Sequence, residues 1–148
     1  IGEEPVPSCQ SYDSGGENSH GLLSYLLDPN VKIIQVYNEE GKIIARSILR
    51  LLADENNEPQ LFLERVYSLN AHHKINEAIL ELARRKARAM GVGLFSVDST
   101  LFSEDSSTQP EIKALVSRSS RASHVYSDAG RGLAVGGRFK IRAARRLD

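Results

Sequence analysis

Between Val31 and Val97 the spacing of apolar positions changes period, and that change predicts the elements. Val31-Lys-Ile-Ile-Gln-Val-Tyr37 and Lys42–Leu52 are dense in β-branched and aliphatic residues, and the short polar segment Asn38-Glu-Glu-Gly41 separates them. Two such runs around a glycine-containing turn predict a β-hairpin. In the second run Ile44, Arg46, Ile48 and Arg50 share one face. Ile43, Ala45, Leu49 and Leu51 share the other face with Ser47, and that face is expected to meet the core. Ala53–Pro59 is polar and ends in proline, which predicts a second turn. Gln60–Tyr67 then reads as a third strand, completing an antiparallel meander.

From Asn70 the period becomes helical. Ile75, Ile79, Leu82 and Met90 recur at helical spacing, with Ala78, Ala83 and Ala87 as small neighbours. Asn70 suits the start of this helix and Gly91 the left-handed residue just past its end. Arg84, Arg85, Lys86 and Arg88 gather toward the C-terminus, where cations oppose the helix dipole. Val92–Val97 reads as a buried strand. A strand, a crossover helix and a strand in one sheet make the third and fourth strands parallel neighbours.

The flanks are more polar. Residues 1–20 read as an N-terminal loop, and Gly21–Leu27 as a short helix stopped by Asp28-Pro29-Asn30. Residues 98–110 form a Ser/Thr/Asp-rich loop, and Glu111–Val116 is expected to be a short helix. Ser123–Ser127 and Gly137–Arg142 are expected to pair as a terminal hairpin across the glycine-rich 128–136 segment. The 148 residues suit a single α/β (α+β) domain with a mixed, mostly antiparallel sheet and flanking helices.

This order of helix, three-stranded meander, long helix, strand, short helix and hairpin resembles the core of the GNAT N-acetyltransferase superfamily over residues 21–143. The resemblance implies a GNAT-like topology and transfer of an acyl group from acetyl-CoA, or another acyl-CoA, to a small-molecule or protein amine. In that family an Arg/Gln-x-x-Gly-x-Gly/Ala loop at the start of the long helix binds the cofactor pyrophosphate through backbone amides. The corresponding loop here is Tyr67-Ser-Leu-Asn-Ala-His-His-Lys74, which contains no glycine. The resemblance therefore assigns cofactor binding to Tyr67, Ser68, His72, His73 and Lys74, with cationic groups standing where the motif has glycines. It also makes Glu64 a candidate general base and Tyr126 a candidate acid for the departing thiolate. A sheet-face Glu64 paired with Arg46 or Arg65 is the structural alternative.

Composition and charge add three further readings. Cys9 is the only cysteine, so no internal disulfide forms, which fits a reducing, cytoplasmic setting. As a nucleophile Cys9 needs a base such as His20, His72, His73 or His124; as a structural residue it is a small buried hydrophobe. No apolar run approaches the roughly 20 residues of a membrane helix. His72 and His73, about 100° apart on a helix, do not make a chelating pair, and no metal site is expected. The net charge is zero but uneven. Residues 1–30 carry only acids, whereas Arg138, Lys140 and Arg142 belong to a basic C-terminal end suited to an acidic partner or nucleic acid, or to a solvated strand face.

Overall fold

A computed structural model describes residues 24–69, 73–102, 111–117, 124–129, 132–135 and 138–148. Its elements are helix α1 (Ser24–Leu27), strands β1 (Val31–Tyr37), β2 (Ile43–Ala53), β3 (Pro59–Leu63) and β4 (Tyr67–Ser68), helix α2 (His73–Met90), and strands β5 (Leu94–Ser96), β6 (Glu111–Val116), β7 (His124–Ser127), β8 (Gly132–Val135) and β9 (Lys140–Arg146).

The meander forms as the hydrophobic pattern predicts. β1 and β2 are antiparallel with Ile34 opposite Ser47, and β2 and β3 are antiparallel with Leu51 opposite Leu61. β3 and β5 are parallel neighbours joined through α2, with Leu61 opposite Leu94 and Phe62 opposite Phe95.

The expected α/β GNAT-like sheet with flanking helices does not form. β2, β3, β5, β9 and β6 follow one another around a closed five-stranded barrel, and the bridge from Ala53 to Val116 returns β6 to β2. Among the described residues strand outweighs helix, and α2 is the one long helix. The error lies in the last third of the chain. Glu111–Val116 is strand, not helix, and it pairs with β9 from Glu111 opposite Arg145 to Val116 opposite Lys140. Neighbouring strands decided this six-residue segment, whose local sequence suits either state. The expected terminal hairpin is also re-paired. β7 pairs with β8, inside the segment expected to be a glycine-rich connection, as a separate two-stranded sheet. β9 inserts between β5 and β6 instead.

Two apolar layers result. Ala45 and Leu49 of β2, Leu61 and Leu63 of β3 and Leu94 of β5 pack beneath Ile79, Leu80, Ala83 and Ala87 of α2. Leu52, Phe62, Phe95, Leu115 and Ile141, one from each of the five closed strands, converge with Phe139 and Ala144 in the barrel interior. Both faces of β2 are thus buried. Ala83 and Ala87 are fully buried, so the helix lies close against the sheet. Leu82 and Met90, expected at the core, are instead exposed.

The end of α2 carries the predicted glycine. Gly91 has φ +68°, and its N–H donates to the Arg88 carbonyl while Val92 N–H donates to the Ala87 carbonyl. These paired bonds satisfy carbonyls that the helix leaves open. A Cβ on Gly91 meets nothing within 4 Å, so substitution acts through the backbone conformation alone. Gly91→Ala is expected to lower stability by about 1 kcal/mol, read from the midpoint of urea unfolding at unchanged slope.

Among the described residues no helix is long and apolar enough to cross a membrane.

Candidate functional site

β3 and β5 pair at two positions, Leu61 with Leu94 and Phe62 with Phe95. Beyond them side-chain bonds keep the two segments together. Ser96 Oγ donates to the Leu63 carbonyl at 2.8 Å, and Asp98 Oδ2 accepts the Val66 N–H at 3.1 Å. The other Asp98 oxygen accepts both the N–H and the hydroxyl of Thr100, capping the one-turn helix Ser99–Leu101.

Glu64 is the first residue past β3 and follows this pairing directly. By strand alternation its side chain follows Phe62 toward the barrel interior, whereas Leu61 and Leu63 face α2. Only 3% of Glu64 is exposed, and its carboxylate accepts a hydrogen bond from Nε of Arg50, itself 1% exposed. Arg50 sits 5.5 Å from the Tyr25 ring centroid and 5.1 Å from that of Phe139. Burial raises the Glu64 pKa above the ordinary carboxylate value, and the nearby Asp128 charge adds to the rise. The Arg50 charge and hydrogen bond, and a hydrogen bond with the fully buried Ser127, oppose it. Burial prevails, so the carboxyl holds a proton more tightly than a solvated one.

The surroundings extend the charged cluster. Tyr67 on β4 donates its hydroxyl to Asp128 Oδ2, and the Arg46 guanidinium lies 5.9 Å from the Tyr67 ring centroid. Arg46, like Arg50, is buried. The corner of the β7–β8 hairpin, Ser127 and Asp128, therefore lies over Glu64 and Tyr67.

The other sequence candidates are dispersed. Ser68 is half-buried on β4, opposite Ala45. His73 and Lys74 are exposed at the start of α2, where His73 Nδ1 lies 3.4 Å from Glu77 Oε1. Cys9 and His72 lie outside the described residues. Tyr126 pairs with Leu133 in the β7–β8 ladder, and its side chain lies outside the described residues. Glu64 and Tyr67 are thus brought near one centre, and His73 and Lys74 stand apart from it.

Arg50, Ser127, Asp128 and Asp98 are the members that sequence reasoning missed. Two arginines four residues apart on one face of an aliphatic strand were the available signal for a buried carboxylate partner. Arg50, not Arg46 or Arg65, takes that part.

On the α2 side of the sheet a groove of about 210 Å³ runs between the first half of α2 and the segment after β5, with His73, Asn76, Glu77, Arg84, Thr100 and Phe102 among its walls. Arg84 Nε donates to the Leu147 carbonyl at 2.9 Å, and Arg145 stacks 4.0 Å from the Phe102 ring centroid. Among the described residues no three His, Cys, Asp or Glu side chains gather as a metal site would require.

No protein-family model, curated protein or solved structure matches this chain.

Proposed function

We propose that the chain is an acyl-transfer domain in which Glu64 is the general base and an acyl-CoA is the donor. The observation that carries this reading is a buried carboxyl, its pKa raised by burial, just past the paired stretch of two parallel strands. A base is most effective when its pKa lies near the working pH, and burial moves Glu64 in that direction. The groove beside the first half of α2 has the size for part of a cofactor. In the reaction the amine nitrogen bonds to the thioester carbonyl carbon and its proton passes to Glu64. The carbon–sulfur bond then breaks, and the thiolate takes a proton from Tyr126, the role given by the resemblance.

Titration calorimetry with acetyl-CoA tests this. Binding heat and a rise in Tm are expected, and neither appearing at millimolar ligand overturns the reading. Glu64→Gln is expected to slow amine-dependent release of free CoA by about 10²- to 10⁴-fold without weakening acetyl-CoA binding.

A second reading is favoured by Arg138, Lys140 and Arg142, all exposed on or just before β9. Lys140 and Arg142 are alternate residues of β9, about 7 Å apart on one face, and with the nearby Arg138 they make a cationic group that fits a polyanionic partner. Here the domain is a non-catalytic interaction module for nucleic acid or an acidic protein. Association that weakens steeply with salt, and is lost on reversing all three charges, is expected. Salt-independent association, or association that survives the reversal, excludes this reading.

A further inference from the structure

We propose that the β7–β8 hairpin is a proton-controlled cover over the barrel's charged interior, docked while Glu64 is protonated and loosened when Glu64 ionises. The inference concerns movement of the hairpin and does not depend on acyl transfer.

The hairpin belongs to a separate two-stranded sheet, paired to no barrel strand among the described residues. Its corner meets the barrel through polar groups, and Ala129 beside them packs against the barrel's apolar cluster. The Tyr67 hydroxyl donates to Asp128, and Ser127 hydrogen-bonds Glu64. Docking leaves Ser127 with no exposed surface and Glu64 with almost none. An apolar contact is indifferent to pH, whereas this one is built over a titratable group.

The charged and titratable groups facing Glu64 can be named element by element. From β2 come Arg50, in direct contact, and Arg46, which lies over Tyr67. From β4 comes the Tyr67 phenol, and from the hairpin corner the Asp128 carboxylate. Tyr25 and Phe139 contribute rings against Arg50, and Ser47 bonds only the Glu64 backbone carbonyl. The barrel side supplies cations that remain when the hairpin leaves. The hairpin supplies cover and the Asp128 charge, which disfavour an ionised Glu64, and the Ser127 hydrogen bond, which favours one; burial is the largest influence on the group.

The sign follows from linkage. Lifting the corner returns water to Glu64 and removes both the Asp128 charge and the Ser127 hydrogen bond; burial outweighs that bond, so the pKa falls toward its solvated value in the open state. The docked state thus binds the proton more tightly. Acid favours docking, and docking weakens as pH rises through the docked-state pKa. Once Glu64 is ionised in both states the effect levels off.

Amide hydrogen exchange on the full chain, corrected for the intrinsic pH dependence of exchange, measures this directly. Amides of His124–Ser127 and Gly132–Val135 are expected to lose protection at least about threefold more than those of β2 and β3 between pH 5 and pH 8. Glu64→Gln, which cannot ionise, is expected to remove that difference. Asp128→Asn leaves the Arg50–Glu64 pair in place and is expected to reduce it, which decides the matter should the glutamine variant not fold. Hairpin protection that follows β2 and β3 at every pH overturns the proposal, as does a wild-type pH response in either folded variant. Failure of acetyl-CoA to bind leaves this readout untouched, so the two ideas fail separately.

Discussion

Arg50→Ala is expected to lower the unfolding free energy by about 3–5 kcal/mol. The guanidinium is almost wholly buried, bonded to Glu64 and flanked by the Tyr25 and Phe139 rings. Its removal leaves the Glu64 carboxyl facing Asp128 without a compensating cation. At neutral pH Glu64 must then lie ionised and unpaired in a site that already disfavours ionisation, or take up a proton. The loss is therefore greatest near neutral pH and shrinks on acidification, as Glu64 becomes neutral. Urea unfolding at pH 5 and pH 8 measures both the size and the direction, and a loss below about 1 kcal/mol at pH 8 contradicts the assignment. Replacing both partners, Arg50→Met with Glu64→Leu, is expected to recover most of the stability, because an apolar pair leaves no charge to solvate. The double variant separates what the ion pair contributes to folding from what Glu64 contributes to chemistry. It is expected to fold and to have lost whatever reaction the carboxyl serves.

Phe62→Ala is expected to cost about 3–5 kcal/mol by a different route. Phe62 is fully buried, sits opposite Phe95 across the parallel pairing and lies in the cluster to which all five closed strands contribute. Truncation removes the apolar area of the ring and leaves a void that strands tied on both sides cannot collapse to fill. Thermal unfolding is expected to show a Tm lower by many degrees with cooperativity retained. Phe62→Leu, which keeps most of the volume, is expected to recover over half of the loss. Equal losses for alanine and leucine would point to the aromatic contacts rather than the cavity.

The first part of the fold is legible because local chemistry and tertiary structure agree there. The β1–β2 turn, the three-strand meander, the Gly91 helix stop and the parallel relation of β3 and β5 follow from period, turn residues and crossover rules. The closure of the barrel is not legible, because it depends on β6 and β9, whose pairing is set by strands far away in sequence. Glu111–Val116 carries two acceptable local states, and only the edges of β2 and β9 select between them. Ala143 shows the same limit: it sits in β9 at φ +55°, between Arg142 and Ala144. There the inward alternation slips, so that Ile141 and Ala144, three apart, both join the barrel core. No residue preference announces a left-handed alanine.

The candidate site divides in the same way. Glu64 and Tyr67 stand out in sequence as polar residues ending an aliphatic strand, and they do lie near one another. Arg50 was visible but attributed to an exposed face, because the sheet was expected to bury one side of β2 and the barrel buries both. Ser127 and Asp128 had no signal, since their place over Glu64 depends on which strands the hairpin does not join.

The position of β9 has a bearing on how the chain is made. This strand is the last of the barrel to be synthesised, yet it is the middle one of the trio β5, β9 and β6. Until residue 146 has left the ribosome, β5 and β6 each present an unsatisfied ladder of amides and carbonyls. A nascent chain halted before that point therefore offers two sticky borders to its neighbours, and arrival of residues 140–146 is the event that zips the cylinder shut.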